Sequence, residues 1–105
     1  MKEERIGKLK ALLEQDPADS FSYYALALEY AGADETSRAI ALLEDLLLRD
    51  QSYVPAYQQL GYLYEKLGRI NEAAAIFRRG MHTAELQGDH HAKSEMQDAL
   101  DSLDM

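Results

Sequence analysis

A pattern that returns after 34 residues constrains this chain more than any other feature of it. Tyr23, Leu26, Ala27, Tyr30, Ala39 and Leu43 are answered by Tyr57, Leu60, Gly61, Tyr64, Ala73 and Phe77, each 34 positions later. A fixed period in this range marks a stacked-repeat architecture, in which one supersecondary unit is copied and each copy buries the face of the next. Such architectures work mainly by presenting a surface, and chemistry is a secondary expectation.

The pattern between the punctuating residues is helical throughout. Ile6, Leu9, Leu12 and Leu13 give residues 2–15 an amphipathic spacing. Asp16-Pro17 stops that helix, because the residue before a proline is pushed out of the helical region. Asp19 or Ser20 is placed to cap a second helix that runs to about Ala31, with Gly32 free to end it in the left-handed conformation. Asp34 or Thr36 is placed to cap a third helix that ends near Arg49. Pro55 falls in the first turn of a fourth helix, where its missing N–H costs little, and Gly68 closes it. A fifth helix runs from about Ile70 to Gln87, with Gly88 as its stop. Asp89 caps a sixth, which sets Ala92, Met96, Leu100 and Leu103 on one side and polar residues on the other. Short connections make consecutive helices antiparallel neighbours.

Within each copy the spacing is Tyr-x2-Leu-small-x2-Tyr, then Ala nine residues after the second Tyr and a large apolar residue four further on. This resembles the tetratricopeptide repeat. The second copy matches closely through Tyr57, Leu60, Gly61, Tyr64, Gly68, Ala73, Phe77 and Gly80. The first is looser: Ala27 stands for the family's glycine, Asp34 for its turn glycine, and Leu43 and Leu46 for its Phe and late Ala. The family's closing proline is matched only by Pro17, which makes residues 1–19 the second half of an incomplete repeat, with Leu9 and Leu12 on its packing face. The resemblance implies an all-α fold, a right-handed stack of antiparallel helix pairs of the tetratricopeptide α-solenoid type. Its expected parts in a single domain are residues 1–19, a first repeat over 20–53, a second over 54–87 and a capping helix over 88–105. The initiating Met and the polar cap favour a whole protein over a fragment of a longer array.

The signature uses Tyr23, Leu26, Ala27 and Tyr30 for packing and leaves Phe21, Tyr24 and Leu28 on a second stripe about 140° away. In the family those positions look into a concave groove that receives a peptide or a helix. Their counterparts one period on are Pro55, Gln58 and Tyr62, with Glu65 a turn further. The resemblance therefore implies a protein or peptide partner held by Phe21, Tyr24, Leu28, Gln58, Tyr62 and Glu65, aromatic anchors being typical of interface hot spots. Two other roles stay open for the stripe: ordinary core beneath the first helix, or the contact of a homodimer. A subset of the family grips a C-terminal carboxylate through Lys, Asn and Arg side chains. Tyr24, Leu28 and Gln59 occupy the matching positions here, so that clamp is not expected.

Other function classes find little support. The formal net charge of −8 repels phosphate backbones and anionic membranes, so neither nucleic acid nor membrane is an expected partner. The only adjacent basic pair is Arg78-Arg79. No run approaches the length of a membrane span, and the N-terminus lacks a signal-peptide core. There is no Cys, which removes disulfides and thiolate sites and makes the cytoplasm the expected location. His91 and Glu95 have a helical metal-binding spacing, but His82 and His90 complete no obvious set, so no metal or other cofactor is expected. The carboxylate pairs Glu3-Glu4, Asp34-Glu35 and Glu44-Asp45 fall at helix starts or on polar faces, and no nucleophile or phosphate-binding motif is present. Catalytic residues are accordingly not expected.

Overall fold

The structure is a computed structural model that describes residues 2–103. Those residues form six helices: α1 (Lys2–Gln15), α2 (Ser20–Gly32), α3 (Thr36–Arg49), α4 (Val54–Lys66), α5 (Ile70–Leu86) and α6 (His90–Asp101). No strand occurs among the described residues. The helices belong to two compact units, one ending at Asp50 and one starting at Gln51.

In the first unit α2 is the middle element, packed on α1 to one side and α3 to the other. Leu26, Ala27 and Tyr30 of α2 and Ala39, Ile40, Leu43, Leu46 and Leu47 of α3 are buried. None of the described side chains of α1 is fully buried; Ile6, Leu9 and Leu13 are half-buried. Leu12, expected on its packing face, is instead 48% exposed. The burying positions are spaced three and four apart as Ile6, Leu9 and Leu13, which turns Leu12 off the stripe. Polar groups hold α1 at its edges. Arg5 Nε donates to Glu29 Oε1 at 2.7 Å, and Lys10 Nζ lies 5.9 Å from the centre of the Tyr30 ring. At the other end of the unit, Arg49 Nη1 donates to the Pro17 carbonyl at 2.6 Å while its guanidinium covers the Tyr23 ring at 4.2 Å.

The second unit places α5 between α4 and α6. Two glycines mark close approaches in it. A Cβ on Gly61 would stand 2.6 Å from Phe77 Cζ and 2.7 Å from Cδ1, inside the fully buried ring. A Cβ on Gly80 would stand 2.5 Å from Met96 Sδ and 2.6 Å from the Tyr57 Cβ. Gly61 thus lets the Phe77 ring lie against the α4 backbone, and Gly80 lets α5 take Tyr57 on one flank and Met96 on the other. One period earlier than Gly61 and Phe77 stand Ala27 and Leu43, both buried. The first repeat has a methyl more on one helix and a smaller side chain on the other, which conserves volume.

One turn geometry serves three times. Asp34, Gly68 and Gly88 have φ of 62°, 75° and 71°. The next amide in each case reaches back across the helix end: Glu35 N–H to Tyr30 O, Arg69 N–H to Tyr64 O and Asp89 N–H to Ala84 O, all at 2.9 Å. This is the six-to-one bond that closes a helix over a left-handed residue. The sequence pattern assigned the first of these ends to Gly32, but Gly32 is the last helical residue and Asp34 takes the left-handed position. Aspartate is among the few side chains that tolerate it. For the same reason Asp34 does not cap α3; Glu35 holds the N-cap position without a side-chain bond, and Thr36 is already inside. Asp89 does cap, accepting from Ala92 N–H at 3.1 Å.

Just beyond two of these turns, an ion pair recurs with its polarity inverted. Glu35 pairs with Arg38 at 3.5 Å in the first repeat, and Arg69 pairs with Glu72 at 2.6 Å in the second. The positions are equivalent and the residues exchanged. In both cases the guanidinium ends over the repeat's second tyrosine, Arg38 at 5.6 Å from the Tyr30 ring and Arg69 at 4.7 Å from the Tyr64 ring.

Gly61→Ala should lower stability by about 1–3 kcal/mol through overpacking. Gly61→Ala combined with Phe77→Leu, which copies the first repeat, should recover part of that loss; urea unfolding of both variants reads the coupling. The Arg69 guanidinium also holds the Glu72 carboxyl below the usual carboxylate range, by hydrogen bonding first and by charge second. The pair's contribution is therefore complete above the unfolded carboxylate pKa and is lost as pH falls through the lowered folded value. A carboxyl-carbon NMR titration should show Glu72 with a depressed midpoint that rises in Arg69→Gln.

Candidate interaction surfaces

On α2, Tyr23, Leu26, Ala27 and Tyr30 turn inward or to the sides, and the stripe of Phe21, Tyr24 and Leu28 is graded in exposure. Phe21 is 67% exposed and Leu28 39%, while Tyr24 is half-buried. The contacts of α1 run through Glu29 and Tyr30 on another side of α2, so α1 leaves Phe21 and Leu28 open. These two large apolar side chains stand two turns apart on one helix face and are left uncovered.

On α4, Gln58, Tyr62 and Glu65 come together along one edge. Gln58 Nε2 donates to the Tyr62 hydroxyl at 3.0 Å. The Tyr62 ring stands edge-on to Phe77, 5.6 Å between centres at 66°. It is therefore anchored on the core while 37% of it remains exposed. Tyr62 and Glu65 form one wall of a shallow groove of about 380 Å³ whose other wall is Glu95, Asp98 and Ala99 of α6 and its C-cap residue Ser102. Three carboxylates beside one aromatic ring give the groove a negative, largely polar lining. His91 Nε2 lies 3.2 Å from Glu95 Oε1 at the outer edge.

The second wall was not foreseen in the sequence. The repeat signature ends with α5, so α6 carried no positional assignment beyond its greasy side. The signal that could have found it is the polar side of α6, where Glu95, Asp98 and Ser102 recur at three and four residues. Phe21, Tyr24 and Leu28 belong to the first unit, whereas Gln58, Tyr62 and Glu65 belong to the second. Among the described residues no group of three His, Cys, Asp or Glu side chains is placed to hold a metal ion. No described helix is long and apolar enough to cross a membrane.

Helical hairpins built on one repeated spacing, with small residues at the helix crossings, define a helical repeat protein. A family model described as tetratricopeptide repeat matches residues 1–84, and the chain belongs to that family. Among solved structures, a tetratricopeptide repeat domain protein from Salinibacter ruber is 44% identical with a TM-score of 0.77, the match covering 81% of this chain and 86% of that one. A protein from Bordetella parapertussis is 25% identical with a TM-score of 0.79, over 90% of this chain and 83% of that one. YrrB, described as a protein of this family with an unusual peptide-binding site, shares the fold at 17% identity and a TM-score of 0.66, over 91% of this chain and 57% of its own. No curated protein matches the chain significantly. Membership of this family marks the chain as a protein–protein interaction module in general terms.

Tyr62→Ala should cost about 1 kcal/mol or more, because it removes the edge contact with Phe77. Tyr62→Phe keeps the ring and loses one exposed hydrogen bond, and should stay within about 0.5 kcal/mol of the parent. Denaturant midpoints of the two variants check this.

Proposed function

We propose that this protein is a non-enzymatic adaptor that binds a peptide or helix of a partner protein, in a cytoplasmic setting, through Phe21, Tyr24 and Leu28 on α2 and through Gln58, Tyr62 and Glu65 on α4. The observation that carries the reading is the exposure of Phe21 and Leu28 beside a well-packed core. Covering apolar surface gains roughly 25 cal/mol per Å², and a partner's side chains would supply that cover. The chemistry of the α4–α6 groove adds a preference. Glu65, Glu95 and Asp98 around Tyr62 favour a segment carrying Lys or Arg beside an aliphatic residue. The net charge of −8 would steer such a segment at low salt.

A second reading rests on the same exposed patch: a homodimer that buries Phe21 and Leu28 against a second copy. Phe21→Ser with Leu28→Glu separates the readings. Both side chains are exposed, so the thermal midpoint should change little. If the patch is an adaptor surface, the parent remains a monomer by light scattering across a dilution series, and the variant loses the partner that the parent captures and that a direct binding titration confirms. A parent that is a dimer at all concentrations, and a variant that is a monomer, would assign the patch to self-association instead. A variant that binds the confirmed partner unchanged would remove α2 from the binding surface.

A further inference from the structure

We propose that a cleft beside the C-terminal half of α5 is a second docking site, for an acidic peptide segment that carries a large aliphatic residue. The cleft measures about 700 Å³ and is lined chiefly by Arg78, Arg79, His82, Leu86 and Gln87 of the α5 end and by Tyr57. Among the described residues no carboxylate lines it. In a chain of net charge −8, this is a local reversal of sign.

The charge there is uncompensated. Among the described residues, neither the Arg78 nor the His82 side chain makes a hydrogen bond or an ion pair. The Arg79 guanidinium lies over the Tyr57 ring at 5.5 Å, which fixes it without neutralising it. The Tyr57 hydroxyl is used internally, donating to the Gln51 carbonyl at 2.7 Å. Gln87 Nε2 donates to the Ser52 carbonyl at 2.6 Å and holds one wall in place. Leu86, 74% exposed, supplies the apolar contact.

The first repeat shows that this chemistry is not a requirement of the fold. At the positions equivalent to Arg78, Arg79 and His82 it carries Glu44, Asp45 and Leu48. Moreover, α5 has 17 residues where α3 has 14, and the added turn is what carries Leu86. Packing does not explain the exchanged side chains or the identity of Leu86, since all of these are exposed, although the added turn also seats the fully buried Ala84. Guanidinium groups recognise carboxylates through paired donors, and an aliphatic neighbour would cover Leu86.

The test is fluorescence anisotropy of the full chain with a labelled peptide of Glu, Asp and Leu, and with a Lys and Leu peptide as its counterpart. Arg78→Glu and Leu86→Ser are the cleft variants, and circular dichroism checks their fold; neither side chain packs in the core. Glu95→Gln with Asp98→Asn serves as the groove control. The acidic peptide is expected to bind saturably and to weaken about tenfold or more in each cleft variant, with a strong dependence on salt, while the groove control leaves it unchanged. Absence of saturable binding, or equal binding by the cleft variants, would overturn the site. Because Glu44, Asp45 and the exposed Leu48 give a second copy the same chemistry, sedimentation of the unliganded chain is measured as well. An association that Arg78→Glu abolishes would hand the cleft to that copy and overturn a foreign acidic partner.

Discussion

The contact on which the second unit depends is the seating of Phe77 against the bare backbone at Gly61. The ring fills the space between α4 and α5, and only the absence of a Cβ allows it to do so. The same logic acts at Gly80, where one missing side chain admits both Tyr57 and Met96. Close packing of this kind has little slack, because interiors are filled to crystal-like density. It also sets the position of Tyr62, whose ring leans on Phe77 and so faces the groove beside α6 at a defined angle. A core contact therefore determines the presentation of a surface residue.

The two repeats solve shared problems with different residues. Each closes its first helix over a left-handed residue, once with Asp34 and once with Gly68. Each lays a guanidinium across its second tyrosine, from Arg38 in one and Arg69 in the other, with the carboxylate partner exchanged. The constant feature is the covered ring; the order of charges along the chain is free. On the exposed sides of α3 and α5, where packing imposes least, the charge reverses from Glu44 and Asp45 to Arg78 and Arg79.

Much of the fold was legible because small and large residues alternate at a fixed interval, and that interval is itself the packing rule. The helix ends were legible wherever Pro17, Pro55, Gly68 and Gly88 mark them, since these residues act through backbone geometry alone. Gly32 misled because a glycine signals freedom and not location; the turn falls where the carbonyl of Tyr30 can be reached, two residues on. Leu12 misled because four leucine-like positions on α1 fit two neighbouring stripes, and packing chose one. Of the candidate surface, the three positions on α4 were legible as a cluster, since Gln58, Tyr62 and Glu65 are spaced at helical intervals. The α6 wall and the α5 cleft were not. Both arise from helices meeting in space, and Arg78-Arg79 reads as an ordinary pair until the structure shows that none of the described acids lines its cleft.

The attachment of α1 differs in kind from every other contact described. It has three half-buried aliphatic residues, an exposed arginine on the half-buried Glu29 carboxylate and a lysine near the Tyr30 ring, and none of the described side chains of α1 is fully buried. Local opening begins where buried area is least. This helix is thus the segment with the lowest barrier to peeling away, and its departure would uncover the flank of α2 that bears Glu29 and Tyr30. The folded protein holds in reserve a face of α2 whose availability is governed by how firmly its first fourteen-residue segment clings.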